Sequence, residues 1–170
     1  MSWVLGIDPG KDGALVALEA SGDLVGAWRA GGPDGYLKAA GVESGYLRAL
    51  GLAREAAGCP PALVVLEAMG VRAGQSVGAQ CTAAYGIGAI AGILTALGWS
   101  WQESRPQAWR RALGIQWVRE SPKVPVIQWV ERRLPQLDLR PGRCVRPHDG
   151  LADAGAIACY ALKIYKGGAA

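Results

Sequence analysis

The sequence predicts a mixed α/β fold in which helices cover a central β-sheet. Three strand-like apolar runs come first, and helical and strand-like segments alternate over the rest of the chain. At 170 residues, with 51% hydrophobic and 19% charged residues, the chain has the size and composition of a globular domain. The sequence contains no repeat or linker, and we therefore expect one domain over residues 1–170.

The three N-terminal runs are separated by short turns. They cover residues 3–8, 14–18 and 24–29. Pro9-Gly10 follows the first run, and Ser21-Gly22-Asp23 separates the second from the third. Because short turns join antiparallel neighbours, we expect three consecutive antiparallel strands.

Helix start and stop signals and further apolar runs predict the rest of the chain. Residues 31–45 are rich in glycine and are expected to form a loop. The expected elements are then a helix over 46–57, a strand over 62–66 that ends at Glu67, a helix from the N-cap Ser76 to about Leu97, a strand over 99–103, a helix over 106–113, a helix from Ser121 that ends before Pro135, and a last helix over 148–165.

Positive charge is concentrated in the second half of the chain. The formal net charge of +4 is mild, but residues 105–146 contain ten arginines and lysines against Glu120, Glu131 and Asp138. Each Lys or Arg placed on a phosphate releases a condensed counterion, so this segment suits a polyanion such as a nucleic acid. A solvated basic surface is the alternative interpretation.

The cysteines and the apolar stretches exclude two classes of protein. The four cysteines form no CxxC pair and His148 is the only histidine, so a structural zinc site is not expected. Scattered cysteines without a signal sequence fit a reducing cytosol, and we expect a cytoplasmic location. The longest apolar stretch, about residues 83–97, is shorter than the ~20 residues of a membrane span, so we expect no membrane partner.

Two acidic residues stand at the ends of apolar strands. Asp8 ends the first strand, and Glu67 ends the most hydrophobic one. An unpaired carboxylate at a buried strand end is costly, so it is normally paired, neutralised or bound to a metal. The alternatives are that Asp8 serves the turn and that Glu67 only marks the exit to solvent.

A second pair of acids lies on the last predicted helix. Asp149 and Asp153 are four residues apart and share one helical face. Hard divalent cations offset such repulsion, and strand-borne acids facing a helix-borne pair suit two-metal phosphodiester hydrolysis. The alternative is enrichment of acids at a helix N-terminus by the helix dipole, which accounts for Asp149 better than for Asp153.

Five short motifs carry a family resemblance that spans nearly the whole chain. They are Ile7-Asp8-Pro9-Gly10, Val65-Leu66-Glu67, residues 105–114, Ser121-Pro122-Lys123 and residues 148–154. The ordered set resembles the RuvC-like Holliday junction resolvases, especially their phage branch. The resemblance implies an RNase H-like fold with a five-stranded mixed sheet, usually in a symmetric homodimer. It also implies nicking of four-way DNA junctions with Mg²⁺ or Mn²⁺, two ions per active site.

The resemblance further implies roles for individual residues. The metal ligands would be Asp8, which bridges both ions, Glu67, Asp149 and Asp153. Lys123 stands where the family keeps a basic residue important for activity, although an ordinary surface lysine is the alternative. His148 would orient the nucleophilic water or contact the scissile phosphate, unless it only caps the helix.

The chain departs from the family pattern in two places. The last two acids of the bacterial pattern are three residues apart, but here Gly150 occupies the earlier position and Asp149 lies four residues before Asp153. The loop after Glu67 carries an aromatic residue in bacterial members, but residues 68–76 contain none. The resemblance therefore leaves open a relaxed selectivity for junctions.

Candidate DNA contacts lie in that loop and in the basic segment. They are Arg72, Gln75, Arg110, Arg111, Trp117, Arg119 and Lys123. Trp117, beside Arg119, is the tryptophan that we expect to stack on DNA. Trp109 and Trp129 have the helical spacing and apolar neighbours of core residues.

The long predicted helix contains a pattern of small residues. Gly88 and Gly92 are four residues apart, with only apolar residues between them. This spacing permits close backbone approach, either onto the sheet or across a dimer interface.

Three functional alternatives to a junction resolvase stay open. A less selective nuclease of branched or duplex DNA and a catalytically silent junction-binding module would both keep the fold. An ATPase of the sugar-kinase or chaperone type also begins with a strand, an aspartate and a glycine turn. Such an ATPase needs a second, duplicated domain, so we expect no nucleotide cofactor.

Overall fold

The computed structural model describes residues 2–10, 13–29, 42–68, 74, 76–142 and 144–168. Within these ranges the elements, in chain order, are β1 (Trp3–Asp8), β2 (Ala14–Glu19), β3 (Leu24–Arg29), α1 (Val42–Ala57), β4 (Leu63–Glu67), α2 (Val77–Ala96), β5 (Trp101–Ser104), α3 (Pro106–Leu113), α4 (Val124–Arg133) and α5 (Asp149–Gly167). None of these helices combines the length and the apolar character needed to cross a membrane.

The strands form one mixed sheet in the order β3-β2-β1-β4-β5. β1 pairs antiparallel with β2, and β2 with β3, whereas β4 and β5 continue the sheet parallel to β1. Short turns account for the antiparallel half, and the helices that separate β4 and β5 from their neighbours provide the crossovers that parallel pairing needs. The predicted five-stranded mixed sheet is confirmed.

Two predicted helix starts are wrong. Helix α1 begins at Val42 and not at residue 46, because one internal glycine, Gly45, costs a helix only about 1 kcal/mol. Helix α4 begins at Val124 with Lys123 as its N-cap, not at Ser121. The Ser121 carbonyl accepts a hydrogen bond from the Val124 amide at 3.2 Å, which closes a separate turn before the helix.

The alternation of side chains along β1 and β4 divides the core into two layers. Leu5, Ile7 and Leu66 face the layer that α1 and α2 complete, whereas Val4 and Val65 face the layer formed with α3, α4 and α5. Successive strand residues point to opposite faces. Asp8 and Glu67 therefore lie on the side of the sheet that α5 covers.

Gly6 allows α5 to approach the sheet at backbone distance. A Cβ at this position would lie 2.3 Å from the amide nitrogen of Ala158 and 2.4 Å from the carbonyl oxygen of Ala154. Both atoms belong to the α5 backbone, which cannot move aside as a flexible side chain can. The absence of a side chain at Gly6 thus sets the separation between β1 and α5.

We expect Gly6→Ala to destabilise the fold by roughly 3 kcal/mol, because the added methyl group must push α5 away from the sheet. Chemical denaturation measures this change. Gly51→Ala in α1 is the matched control, since no described residue has an atom within 4 Å of its Cβ position. That substitution should stabilise the protein by about 0.5–1 kcal/mol. Equal effects of the two substitutions would contradict the close approach at Gly6.

Candidate active site

The two strand-end acids lie side by side. Ile7 of β1 is in register with Leu66 of the parallel strand β4. Asp8 and Glu67, the next residue of each strand, therefore leave the sheet at the same edge. The sequence already placed each acid at the end of a strand, and the parallel pairing of β1 with β4 makes them neighbours.

Helix α5 brings a third acid to this edge. Asp153 is only 3% exposed, and it precedes Ala154, whose carbonyl faces Gly6 of β1. Its charge contributes to the raised pKa values of both Asp8 and Glu67. The structure thus places Asp8 and Glu67 side by side, and the charge of Asp153 acts on both.

Burial and mutual repulsion raise the pKa values of two of these acids well above their usual range. Burial, followed by the charge of Asp153, raises the pKa of Asp8 from 3.8 to about 6. Burial, followed by the charges of Asp8 and Asp153, raises the pKa of Glu67 from 4.5 to about 8. Clusters with such raised pKa values are typical of functional sites, because an added cation or proton relieves the repulsion.

Two cationic side chains neutralise Asp153. The Lys123 ammonium donates a hydrogen bond to Asp153 Oδ2, and Arg110 Nη2 lies 3.8 Å from Asp153 Oδ1. Burial lowers the pKa of Lys123, but the charge and hydrogen bond of Asp153 outweigh this effect and raise it overall, so the amine stays charged. Both cations come from distant parts of the chain, and the sequence alone did not predict that they pair with this acid.

Arg110 is itself held between two tryptophans. Its guanidinium carbon lies 5.0 Å from the ring centroid of Trp109 and 5.1 Å from that of Trp117. Its Nη1 donates to the carbonyl oxygen of Pro122 at 3.5 Å. Arg110 is only 8% exposed, although the sequence suggested a DNA contact.

Tyr46 of α1 fixes the turn that follows Asp8. Its hydroxyl donates to two carbonyl oxygens, that of Asp8 at 2.8 Å and that of Gly10 at 3.0 Å. The Gly10 amide in turn donates to Asp8 Oδ1 at 3.3 Å. A Cβ at Gly13 would lie 2.3 Å from the Tyr46 hydroxyl, so glycine at that position is required for this contact.

The Tyr46 hydroxyl stays a proton donor. Burial and the nearby charge of Asp8 raise its pKa well above 10. Sequence analysis missed this residue because 38 positions separate it from Asp8 and no local motif marks it.

The other two predicted site residues, His148 and Asp149, lie at the start of α5. His148 caps the helix, since its Nδ1 accepts a hydrogen bond from the Leu151 amide at 3.2 Å. Asp149 is exposed in the first turn, whereas Asp153 one turn later is buried. The charge of Asp149 nevertheless raises the pKa values of Asp8 and Lys123, although its effect is the smallest of those that act on each group. It lies at the rim of the cluster.

Asp8, Glu67 and Asp153 would be the ligands of a hard divalent cation at this site. Carboxylate oxygens are the hard ligands that these ions prefer. Asp153 Oδ1 and the hydroxyl of Ser104, which is in register with Glu67, are buried and have no hydrogen-bond partner in the part of the chain that the structure describes. Among the described residues, no three acids, histidines or cysteines are set closely enough to form a ready-made metal site. The ammonium of Lys123, and not a closed carboxylate shell, neutralises Asp153.

The predicted DNA contacts occupy different environments. Trp117, Arg111 and Arg119 are exposed, and Lys123 is partly exposed beside the acids. Arg72 and Gln75 lie outside the described residues. Among the residues that the structure describes, nothing lies within 4 Å of a Cβ built at Gly88 or Gly92, so the small-residue pattern of α2 does not pack on the described sheet.

Comparison with known proteins identifies the fold. No protein-family model matches the chain, and no curated protein matches its sequence. Among solved structures, Thermus thermophilus RuvC in complex with a Holliday junction substrate is similar, with a TM-score of 0.67 and 20% identity over 98% of this chain and 97% of that one.

Two further structures agree. A second Thermus thermophilus RuvC structure has a TM-score of 0.60 and 23% identity over 97% of this chain and 96% of that one. The yeast mitochondrial Holliday junction resolvase Ydc2 has a TM-score of 0.60 and 13% identity over 97% of this chain and 79% of that one. The chain therefore has the RuvC-like, RNase H-like fold that the motifs predicted.

We expect Glu67→Gln to stabilise the metal-free protein at alkaline pH. A carboxyl group whose pKa is raised on folding contributes stability below its unfolded pKa, near 4.5, and loses it as the pH rises towards about 8. The amide carries no charge, so the variant should match the wild type near pH 4.5. It should exceed the wild type by roughly 2 kcal/mol or more at pH 8.5.

Denaturation in EDTA across this pH range measures the difference. Glu55→Gln, at an exposed position of α1, is the matched control and should not change the pH profile. Parallel profiles for the wild type and Glu67→Gln would contradict a buried, repelled carboxylate at the strand end.

Proposed function

We propose that this chain, which has the fold of the RuvC resolvases, is a metal-dependent endonuclease that nicks branched DNA, four-way junctions above all. One observation carries the proposal. Asp8, Glu67 and Asp153 come from three separate segments of the chain and converge in one electrostatically coupled cluster. A cluster of partly and fully buried acids beside a basic segment suits the hydrolysis of a polyanion.

Mg²⁺ or Mn²⁺ would be held by Asp8, Glu67 and Asp153, with Asp149 at the rim. Two ions are expected, because two-metal sites are the common arrangement for phosphodiester hydrolysis. When bound, the cations supply a water of lowered pKa and stabilise the negative charge that develops on the phosphate.

The chain's own residues prepare this site. Tyr46 and the Gly10 amide fix the orientation of Asp8 from two directions. The Lys123 side chain is 44% exposed and lies beside Asp153, so its ammonium can donate to a phosphate oxygen of bound DNA. Arg111 and Arg119 extend the positive surface along the same segment.

Branched DNA is the proposed substrate for two reasons. Of the two RuvC structures, the one with the higher TM-score is a complex with a Holliday junction substrate. This chain shares its fold over almost its full length. The resemblance of the five motifs points to the same substrate. A broader nuclease on branched and duplex DNA is the second candidate, favoured by the absence of an aromatic residue in residues 68–76.

We also propose a homodimer formed through α2. This helix carries no charged residue, and its outward face consists of apolar or small residues. The exposed residues that the structure describes in this helix are Val77, Gly78, Cys81, Ala84, Tyr85, Gly88, Gly92, Thr95 and Ala96. Nicking two equivalent strands of a four-way junction requires two active sites related by a twofold axis, which a symmetric dimer supplies. A second copy of the chain is therefore the expected occupant of this face.

Asp8→Asn should reduce junction nicking to background but leave junction binding close to that of the wild type. The amide keeps the shape of the side chain and loses the charge that holds a cation. Gel assays on a four-way junction, a flap and a linear duplex, each with Mg²⁺ and with Mn²⁺, measure both properties. Asp23→Asn, in the exposed turn between β2 and β3, is the matched control and should nick as the wild type does.

Each outcome of this assay has a distinct meaning. Full nicking by Asp8→Asn would falsify the proposed chemistry. Equal cleavage of junction and linear duplex by the wild type favours the broader nuclease. Binding without cleavage by the wild type in either metal favours a silent junction-binding module.

Tyr85→Asp should convert the proposed dimer to a monomer, because it places a charge at the centre of the apolar face of α2. Sedimentation equilibrium measures the change in mass. Val145→Asp adds the same charge at an exposed valine outside α2 and should leave the mass unchanged. A wild-type protein that sediments as a monomer both alone and with junction DNA would rule out the dimer.

A further inference from the structure

Trp117 exposes an aromatic ring beside the candidate active site. The side chain is 65% exposed and lies between α3 and α4. Two exposed valines, Val118 and Val124, follow it in the sequence. An exposed tryptophan forgoes the burial of a large apolar surface, so its position requires an explanation.

The Trp117 ring packs against the guanidinium of a buried arginine. The guanidinium of Arg110 lies 5.1 Å from the Trp117 ring centroid and 5.0 Å from that of the fully buried Trp109. A planar guanidinium stacks well on aromatic faces, and burial restricts both supporting residues. Arg110 thus contacts one ring in the core and one ring at the surface.

The same arginine connects the stack to the acids. Arg110 Nη2 lies 3.8 Å from Asp153 Oδ1, and Nη1 donates to the Pro122 carbonyl at 3.5 Å. The buried Arg110 Nε has no hydrogen-bond partner among the described residues, so the two indole rings, Asp153 and the Pro122 carbonyl place the side chain. One side chain therefore sets the distance between the exposed ring and a catalytic carboxylate.

We propose that Trp117 is a stacking platform for an unpaired base next to the scissile strand, and that Arg110 is the residue that positions it relative to Asp153. This inference rests on the proposed nuclease function and names what the site selects. A base in linear duplex has both faces covered by its neighbours. A base at a branch point or in a single strand offers a free face to an aromatic ring.

The surroundings favour a nucleic acid over an apolar protein partner. Arg111 and Arg119 are exposed on either side of Trp117 in the sequence, and Lys123 follows in the same segment. Positive charge around a single exposed ring matches the alternation of phosphates and bases along a strand. An apolar docking surface would instead require a larger patch without charges.

Binding in EDTA tests the platform without cleavage. The probes are a four-way junction with 2-aminopurine at the branch point, a linear duplex of the same sequence and a single strand. Trp117→Ala should weaken binding to the junction and to the single strand about tenfold, whereas its duplex affinity should change little. Trp117→Tyr should retain most of the affinity. Val118→Ala, which removes exposed apolar surface without a ring, is the matched control and should bind as the wild type does.

Arg110→Lys tests the positioning role. Lysine keeps the positive charge opposite Asp153, but it has no planar group to fit between two rings. It should weaken junction binding, and combining it with Trp117→Ala should cause no further loss, because both substitutions remove the same interaction. Additive losses in this double-mutant cycle would refute the link between the two residues. Melting temperatures of the variants show whether the fold is retained.

The outcomes separate this inference from the proposed function. Two results would overturn the platform: Trp117→Ala binds all three probes as the wild type does, or it loses the same affinity for all three. Neither result bears on nicking by the wild-type protein. A wild-type protein that nicks no substrate, combined with selective loss of single-strand binding in Trp117→Ala, overturns the nuclease and supports the platform.

Discussion

The close approach of α5 to β1 is the constraint on which the rest of the structure depends. It exists because Gly6 has no side chain and because the facing residues of α5, Ala154 and Ala158, are small. A wider separation would leave Asp153 out of reach of the strand-end acids. Small residues on both surfaces thus position the candidate active site as well as pack the core. We expect Gly6, which lies beneath the acids and is not one of them, to tolerate least change.

This packing concentrates like charges, which opposes folding. Desolvation and repulsion raise the pKa values of Asp8 and Glu67, so part of the stability of the fold is lost when both ionise. The cations on Asp153 offset some of this cost. Lys123 is half exposed and Arg110 is buried, so the two respond differently to solvent: screening weakens the contribution of the lysine more than that of the arginine.

The sequence predicts the three antiparallel strands and the strand-end acids because both leave local signals. Apolar runs ending in Asp8 and Glu67 mark strand ends, and alternation along β1 and β4 puts both acids on the face that α5 covers. The partners of Asp153 leave no such signal. Lys123 is 30 residues away, and its pairing depends on the path of the segment between α3 and α4. The glycine-rich composition of residues 31–45 likewise led to the prediction of a loop where the first turn of α1 lies. A single glycine in that turn does not stop a helix.

The segment from α3 to the start of α4 combines two roles that are often separate in enzymes. It contributes both counter-ions of Asp153, and the exposed ring of Trp117 lies between them in the sequence. Because Arg110 contacts the ring and the acid at once, the exposed ring cannot shift without changing the charge balance around the acid. The physical basis is the planarity of the guanidinium, whose faces pack on indoles while its edge meets a carboxylate. Lysine at this position would keep the charge and lose that geometry.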